Sequence, residues 1–223
     1  MKKNDAPGLA QYKAIILDMD GTLYFQTPVR FFTALSLVAG FLSRKIKYKD
    51  IKILAAYRKL RESRAFAENE DFAQKQLQSV ADTYSVTPAH VKNIIDCRMH
   101  EKPLKYVRLF RDKSLVGLIN SLRSDNTKII IYSDYPAKDK ARAIGIDADL
   151  IFYSESKEIM CMKPDPRGLI NILNIAKAAP REALYVGDRY SKDGLCAKAA
   201  GVRYINLGKY LITRRFASRR GFV

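Results

Sequence analysis

Two aspartates, Asp18 and Asp20, follow the apolar run Ala14-Ile15-Ile16-Leu17 and lead into Gly21-Thr22. A short, wholly apolar, branched run reads as a strand buried on both faces, so the carboxylates emerge at its carboxyl end. Active sites of open parallel sheets lie at that end. Alternate residues of an extended chain share a side, so both carboxylates face one small space. Like charges that close require a cation, a proton or a Lys/Arg between them. Gly21 and Thr22 let the backbone leave the strand sharply.

Three later segments repeat the pattern of a polar cluster behind an apolar strand. Ser133-Asp134-Tyr135-Pro136 follows Lys128-Ile129-Ile130-Ile131-Tyr132, and the Ser133 hydroxyl is a suitable donor to a phosphate oxygen. Met162-Lys163-Pro164-Asp165-Pro166 follows Leu150-Ile151-Phe152-Tyr153, where the Lys163 ammonium can neutralise clustered carboxylates or phosphate oxygens. Gly187-Asp188-Arg189-Tyr190-Ser191-Lys192-Asp193 follows Ala183-Leu184-Tyr185-Val186. There Asp188 and Asp193 offer hard oxygen ligands, which select Mg²⁺ over softer metals. Singly, each segment is also an ordinary turn or helix cap. Four of them in succession at strand ends are not.

The elements that must hold these residues follow from periodicity. Apolar stripes over 115–122, 137–144, 167–176 and 192–200 alternate with the strands, which implies right-handed crossovers and a parallel sheet covered on both faces. Between the first two strands the rhythm changes: 31–42, 51–60, 72–84 and 91–95 all read as helices, with Thr87 and Pro88 starting the last. The expected fold is therefore α/β, a Rossmann-like three-layer parallel sheet core with an inserted all-helical cap. Residues 1–26 and 107–223 form the core and 27–106 the cap. The run 31–42 is expected to be a buried cap helix, because apolar helical stripes are usually core.

A chain of 223 residues that is 48% hydrophobic buries a full core and is not disordered. Its formal net charge of +17 attracts anions of any kind. The three cysteines, Cys97, Cys161 and Cys196, form no C-x-x-C pair, so neither a disulfide framework nor a zinc site is indicated and a reducing, cytoplasmic setting fits. No signal peptide is visible at the start, and the run 31–42 falls short of the ~20 residues that span a bilayer. Cap residues Arg44, Lys45, Lys47, Lys49, Lys52, Arg58, Lys59, Arg61 and Arg64 read mostly as a solvated face, with one or two free to meet a second anionic group of a substrate. Lys209, Arg214, Arg215, Arg219 and Arg220, interleaved with Tyr210, Leu211, Ile212 and Phe216, make a basic tail. It reads as a solvated terminus before it reads as a nucleic-acid or membrane contact.

With these motifs in order, the sequence resembles the haloacid dehalogenase-like (HAD) superfamily of phosphohydrolases. Asp18-x-Asp20-Gly21-Thr22 matches its first motif, Ser133 the second, Lys163 the third, and Gly187-Asp188 with Asp193 the fourth. The resemblance implies that Asp18 is a nucleophile forming an aspartyl-phosphate and that Asp20 is the general acid and base. It further implies that Asp18, Asp20 (through its backbone carbonyl) and Asp188 hold Mg²⁺. Ser133 and Lys163 would grip the phosphoryl group, and Asp193 would orient Lys163 or a metal-bound water. Dehalogenating members lack the second aspartate, so Asp20 points to a phosphatase for a small phosphorylated metabolite. One departure is Asp134, where many members carry Asn. The alternatives are a phosphomutase or phosphonate hydrolase of the same fold, or a basic non-catalytic protein that binds nucleic acid or an anionic membrane.

Overall fold

The computed structural model describes residues 9, 11–124 and 126–207. The basic tail with Lys209, Arg214, Arg215, Arg219 and Arg220 lies outside the described residues. Strand β1 (Ala14–Leu17) is the centre of a five-stranded parallel sheet of order β3-β2-β1-β4-β5, with β2 at Lys128–Ser133, β3 at Leu150–Tyr153, β4 at Ala183–Gly187 and β5 at Arg203–Asn206. In register, Leu17 stands beside Ile131 of β2 and Val186 of β4. Asp18 leaves β1 at this level while β2 runs on to Ser133 and β4 to Gly187, so the three carboxyl ends lie side by side. The chain order reverses on the two sides of β1, which makes its carboxyl end a topological switch point, where open α/β sheets form their crevices.

The strands lack polar alternation because both their faces are covered. Ile15, Leu17, Ile129, Ile131, Leu184 and Val186 point into one apolar layer, together with α6 (Lys113–Leu122) and α7 (Lys138–Ile144). Ala14, Ile16, Ile130, Tyr132, Ala183 and Tyr185 point into the other, against α8 (Arg167–Ala176) and α9 (Leu195–Ala199). The α/β core and parallel sheet are those expected from the sequence.

Between β1 and β2 run α1 (Gln26–Leu42), α2 (Tyr48–Glu62), α3 (Phe72–Tyr84), α4 (Pro88–Ile95) and α5 (Leu104–Leu109). Helices α2 to α4 share an apolar cluster of their own built on Ile53, Leu54, Tyr57, Val80, Val91 and Ile94. Thr87 caps α4 by accepting a hydrogen bond from the His90 amide at 3.2 Å, with Pro88 in the first turn. Wide turns with N–H groups bonded five residues back follow at Asp96–Glu101 and Tyr190–Gly194. The second replaces the start of the helix expected from Lys192, and α9 begins only at Leu195.

One sequence expectation fails in this helical region and another has an exception. Helix α1 is not buried: only Val29 is, whereas Phe31 is 64%, Leu35 52%, Val38 52% and Leu42 75% exposed. The helix packs through Phe32, stacked on Tyr106 and Phe110 with ring centres 5.7 and 5.4 Å apart, through Leu37 on the apolar cluster of α2 to α4 and through Phe41 beside Tyr48, while Phe31, Leu35, Val38 and Leu42 stay exposed. Arg61 is not solvated: its side chain is 1% exposed. Among the described residues no helix is long and apolar enough to cross a membrane.

Candidate active site

Asp18, the first residue past β1, is buried, and its Oδ1 lies 2.6 Å from the Lys163 ammonium. Its Oδ2 accepts a 3.2 Å hydrogen bond from the Thr22 hydroxyl. Lys163, in the loop between β3 and α8, is also buried and donates to Asp193 Oδ1 at 2.7 Å, the Tyr185 hydroxyl at 3.1 Å and the Tyr132 carbonyl at 3.2 Å. Burial works against its charge, but Asp18 and Asp193 outweigh that and hold it well above an ordinary lysine. Asp193 lies in the wide turn at Tyr190–Gly194, where it is buried. Its Oδ2 also accepts from the Arg189 amide at 3.2 Å.

Asp188 completes the carboxylate cluster. One oxygen each from Asp18, Asp188 and Asp193 lie within 4.8 Å of one another. Gly21 makes room for this approach: its φ is +96°, and a Cβ there would stand 2.2 Å from Asp188 Oδ2. Burial pushes Asp18 up to about 8, with Lys163 pulling against it and Asp193, Asp188 and Asp20 adding to the rise. Burial, then Asp193, raises Asp188 as well. Moreover Asp188 Oδ1 is buried with no hydrogen-bond partner, the Arg189 guanidinium standing 3.9 Å away. Excess negative charge, an orphaned carboxylate oxygen and an all-oxygen donor set fit a hard divalent cation.

Asp20 stands apart from that cluster. Its Oδ1 takes the Lys140 ammonium at 2.6 Å and a hydrogen bond from the Tyr24 hydroxyl. Burial raises its pKa, yet Lys140 and the two hydrogen bonds outweigh it and hold Asp20 below the usual carboxylate value. Ser133 ends β2, fully buried, and its Oγ accepts from the Tyr135 amide at 3.2 Å. The six residues singled out in the sequence thus converge on the carboxyl edge of β1, β2 and β4.

Asp134, the departure from the usual motif, turns away from the cluster. Its Oδ2 pairs with Lys192 at 3.0 Å, and its Oδ1 accepts from Ser154 and the Lys163 amide at 3.3 Å each. Burial is outweighed by Lys163 and Lys192, so Asp134 is held ionised. Several residues of this shell carried no sequence signal. Tyr24 and Lys140 fix Asp20, Tyr185 fixes Lys163, and Arg61 spans the helical region and the core. The Arg61 guanidinium donates to the Asp134 carbonyl at 2.6 Å and pairs with Glu155 at 2.8 Å. Glu62 reaches Tyr135, Arg189 and Lys192 at 3.4 to 3.5 Å. A lysine inside Lys138-Asp139-Lys140 or an arginine on a basic helix looks solvated until the tertiary packing is known.

A sequence model of the haloacid dehalogenase-like hydrolases matches residues 12–201. The chain belongs to this family. This HAD-like hydrolase also resembles solved structures over most of its length. A 2-haloacid dehalogenase from Pseudomonas syringae pv. Tomato DC3000 is 19% identical, with a TM-score of 0.62 over 87% of this chain and 86% of that one. The HAD-hydrolase YfnB from Bacillus subtilis, bound to magnesium, is 16% identical, with a TM-score of 0.56 over 86% and 87%. A HAD-superfamily hydrolase of subfamily IA from Geobacter sulfurreducens PCA is 20% identical, with a TM-score of 0.52 over 88% and 87%. At these identities the likeness is one of fold. Comparison with curated protein sequences gives no significant match.

Proposed function

We propose that this HAD-like hydrolase is a Mg²⁺-dependent phosphatase that cleaves a small phosphate monoester through an aspartyl-phosphate on Asp18. The observation that carries the reading is the second carboxylate: Asp20 is buried, fixed by Lys140 and Tyr24, and lines a cavity beneath the helical region. A dehalogenating site has no use for a proton-handling group at that place, whereas an ester needs its leaving oxygen protonated.

Asp18 attacks phosphorus, and the bond to the leaving oxygen breaks. The proton enters with the monoester, whose second ionisation lies near pH ~6, and Asp20 relays it to the leaving oxygen. Lys163 and Ser133 contact the phosphoryl oxygens, and Asp193 with Tyr185 holds the ammonium in place. In the second half Asp20 accepts a proton from the attacking water, the Asp18–phosphorus bond breaks, and Asp20 passes that proton to the departing inorganic phosphate, which restores both carboxylates. Asp18, Asp188 and the Asp20 carbonyl would hold Mg²⁺, which would supply positive charge to offset that of the transferring phosphoryl group.

The test is phosphate release from a panel of phosphorylated metabolites, with Mg²⁺ and with chelator, for the native chain and Asp18→Asn. Metal-dependent release that vanishes in folded Asp18→Asn is the expected result. Halide release from 2-haloacids without phosphate release would replace this reading by a dehalogenase.

A further inference from the structure

We infer that the leaving group of the substrate carries an apolar body and a second anionic group, a carboxylate or a phosphate, that docks on Arg30 and Arg58. The inference rests on the phosphatase reading only in taking Asp20 as the group that faces the leaving oxygen. It starts from a cavity of about 340 Å³ whose wall includes Asp20, so whatever hangs from that oxygen must extend into it. The volume is at the small end of ligand sites, which run to ~300–1,000 Å³.

The walls set the chemistry of the occupant. Val29, Leu37, Leu54, Met99 and Val107 make most of the surface apolar, which rejects a body covered with hydroxyls. The charges in the wall are unequal in what they already touch. Lys140 is taken by Asp20, and Glu62 is shared by Tyr135, Arg189 and Lys192. Among the described residues Arg30, Arg58 and Arg98 of this wall have no ion-pair or side-chain hydrogen-bond partner, and of these Arg30 and Arg58 stand close enough to act on each other.

These two guanidinium groups also feel each other. Burial, then the charge of Arg58, lowers the Arg30 pKa, with Glu62 opposing. Helices α1 and α2 thus hold two like charges toward one cavity, an arrangement that an incoming anion relieves. Arginine forks suit carboxylate and phosphate oxygens alike, and both guanidinium groups retain free N–H donors for them. A neutral sugar phosphate would leave both arginines unmet, and a plain aryl phosphate would satisfy the walls alone.

The experiment compares kcat/KM, with Mg²⁺, for phenyl phosphate, 4-carboxyphenyl phosphate, 1,4-phenylene bisphosphate and glucose 6-phosphate. At least about a tenfold preference over phenyl phosphate is expected for the two probes that carry a second anionic group, and their order tells carboxylate from phosphate. In Arg58→Met and Arg30→Met that preference should shrink toward one, with partial recovery in Arg58→Lys. Equal efficiency for phenyl phosphate and both of these probes, or a preference unmoved by both substitutions, overturns the inference while leaving the phosphatase reading intact. Calorimetric binding of phenylphosphonate and 4-carboxyphenylphosphonate to the Mg²⁺-loaded protein separates the two conclusions. If nothing is hydrolysed yet the carboxylated phosphonate binds tighter in an Arg58-dependent way, the anion pocket stands and the phosphatase reading falls. If nothing is hydrolysed and the two phosphonates bind alike, both fall.

Discussion

Replacing Arg61 by methionine keeps the aliphatic stem and removes the guanidinium, so it isolates what that buried fork contributes. The group donates to the Asp134 carbonyl at 2.6 Å and to Gln76 Oε1 at 3.3 Å, pairs with Glu155 at 2.8 Å, and lies 5.1 and 5.4 Å from the ring centres of Phe72 and Tyr135. Glu155 is 32% exposed, so losing its partner costs little. The short bond to the Asp134 carbonyl is charge-assisted and buried, worth about 1.5–3 kcal/mol, and Gln76 is left with an unmet buried oxygen at about 1–3 kcal/mol. Arg61→Met is therefore expected to lower stability by about 3 kcal/mol. Urea unfolding followed by circular dichroism reads this as a lower midpoint at unchanged slope. In a chain of this size it corresponds to a Tm lower by ~6–12 °C. Arg61→Lys should recover only part, because a point donor cannot meet the carbonyl and the amide together. Since Asp134 adjoins Ser133, kcat should also fall more than KM rises. A loss under about 1 kcal/mol for Arg61→Met, or an equal loss for Glu155→Gln, would refute the reasoning.

Mg²⁺ at a hundredfold excess over its Kd should stabilise the chain by about 2.7 kcal/mol in thermal unfolding, chelator should reverse this, and Asp188→Asn should abolish both the shift and turnover. His100 is held at about 4, below its free value near ~6.5, because burial and then Lys140 disfavour its cation. Its contribution is therefore complete above pH ~6.5 and is lost as pH falls through about 4. His100→Gln should flatten that acid decline, by no more than about 3.5 kcal/mol at ~1.36 kcal/mol per unit, and an unchanged pH profile of urea stability would count against it. On the exposed side of α1, Leu35→Gln with Leu42→Gln should reduce self-association in light scattering and shift stability by no more than about 0.5 kcal/mol, whereas a larger loss would mean that this face is packed.

The four polar clusters were legible because their signal is local: an apolar strand followed by a carboxylate, hydroxyl or lysine needs no knowledge of the partner strands. Strand ends in a parallel sheet share one edge, so the sequence alone determined that Asp18, Asp20, Ser133, Lys163, Asp188 and Asp193 converge there. Asp134 was legible as a departure, but its direction was decided by Lys192 and the Lys163 amide, which no spacing relates to it. The exposure of α1 was hidden because the helix is apolar on every side, so periodicity gave no direction to bury. Lys140 and Arg61 were hidden for the opposite reason, since a long cationic side chain looks solvated wherever it stands in a basic chain. Only the approach of α2 and α7 to the sheet edge gives those charges partners 73 and 120 residues away. Burial of a charge depends on contacts distant in sequence, and tertiary packing alone decides them.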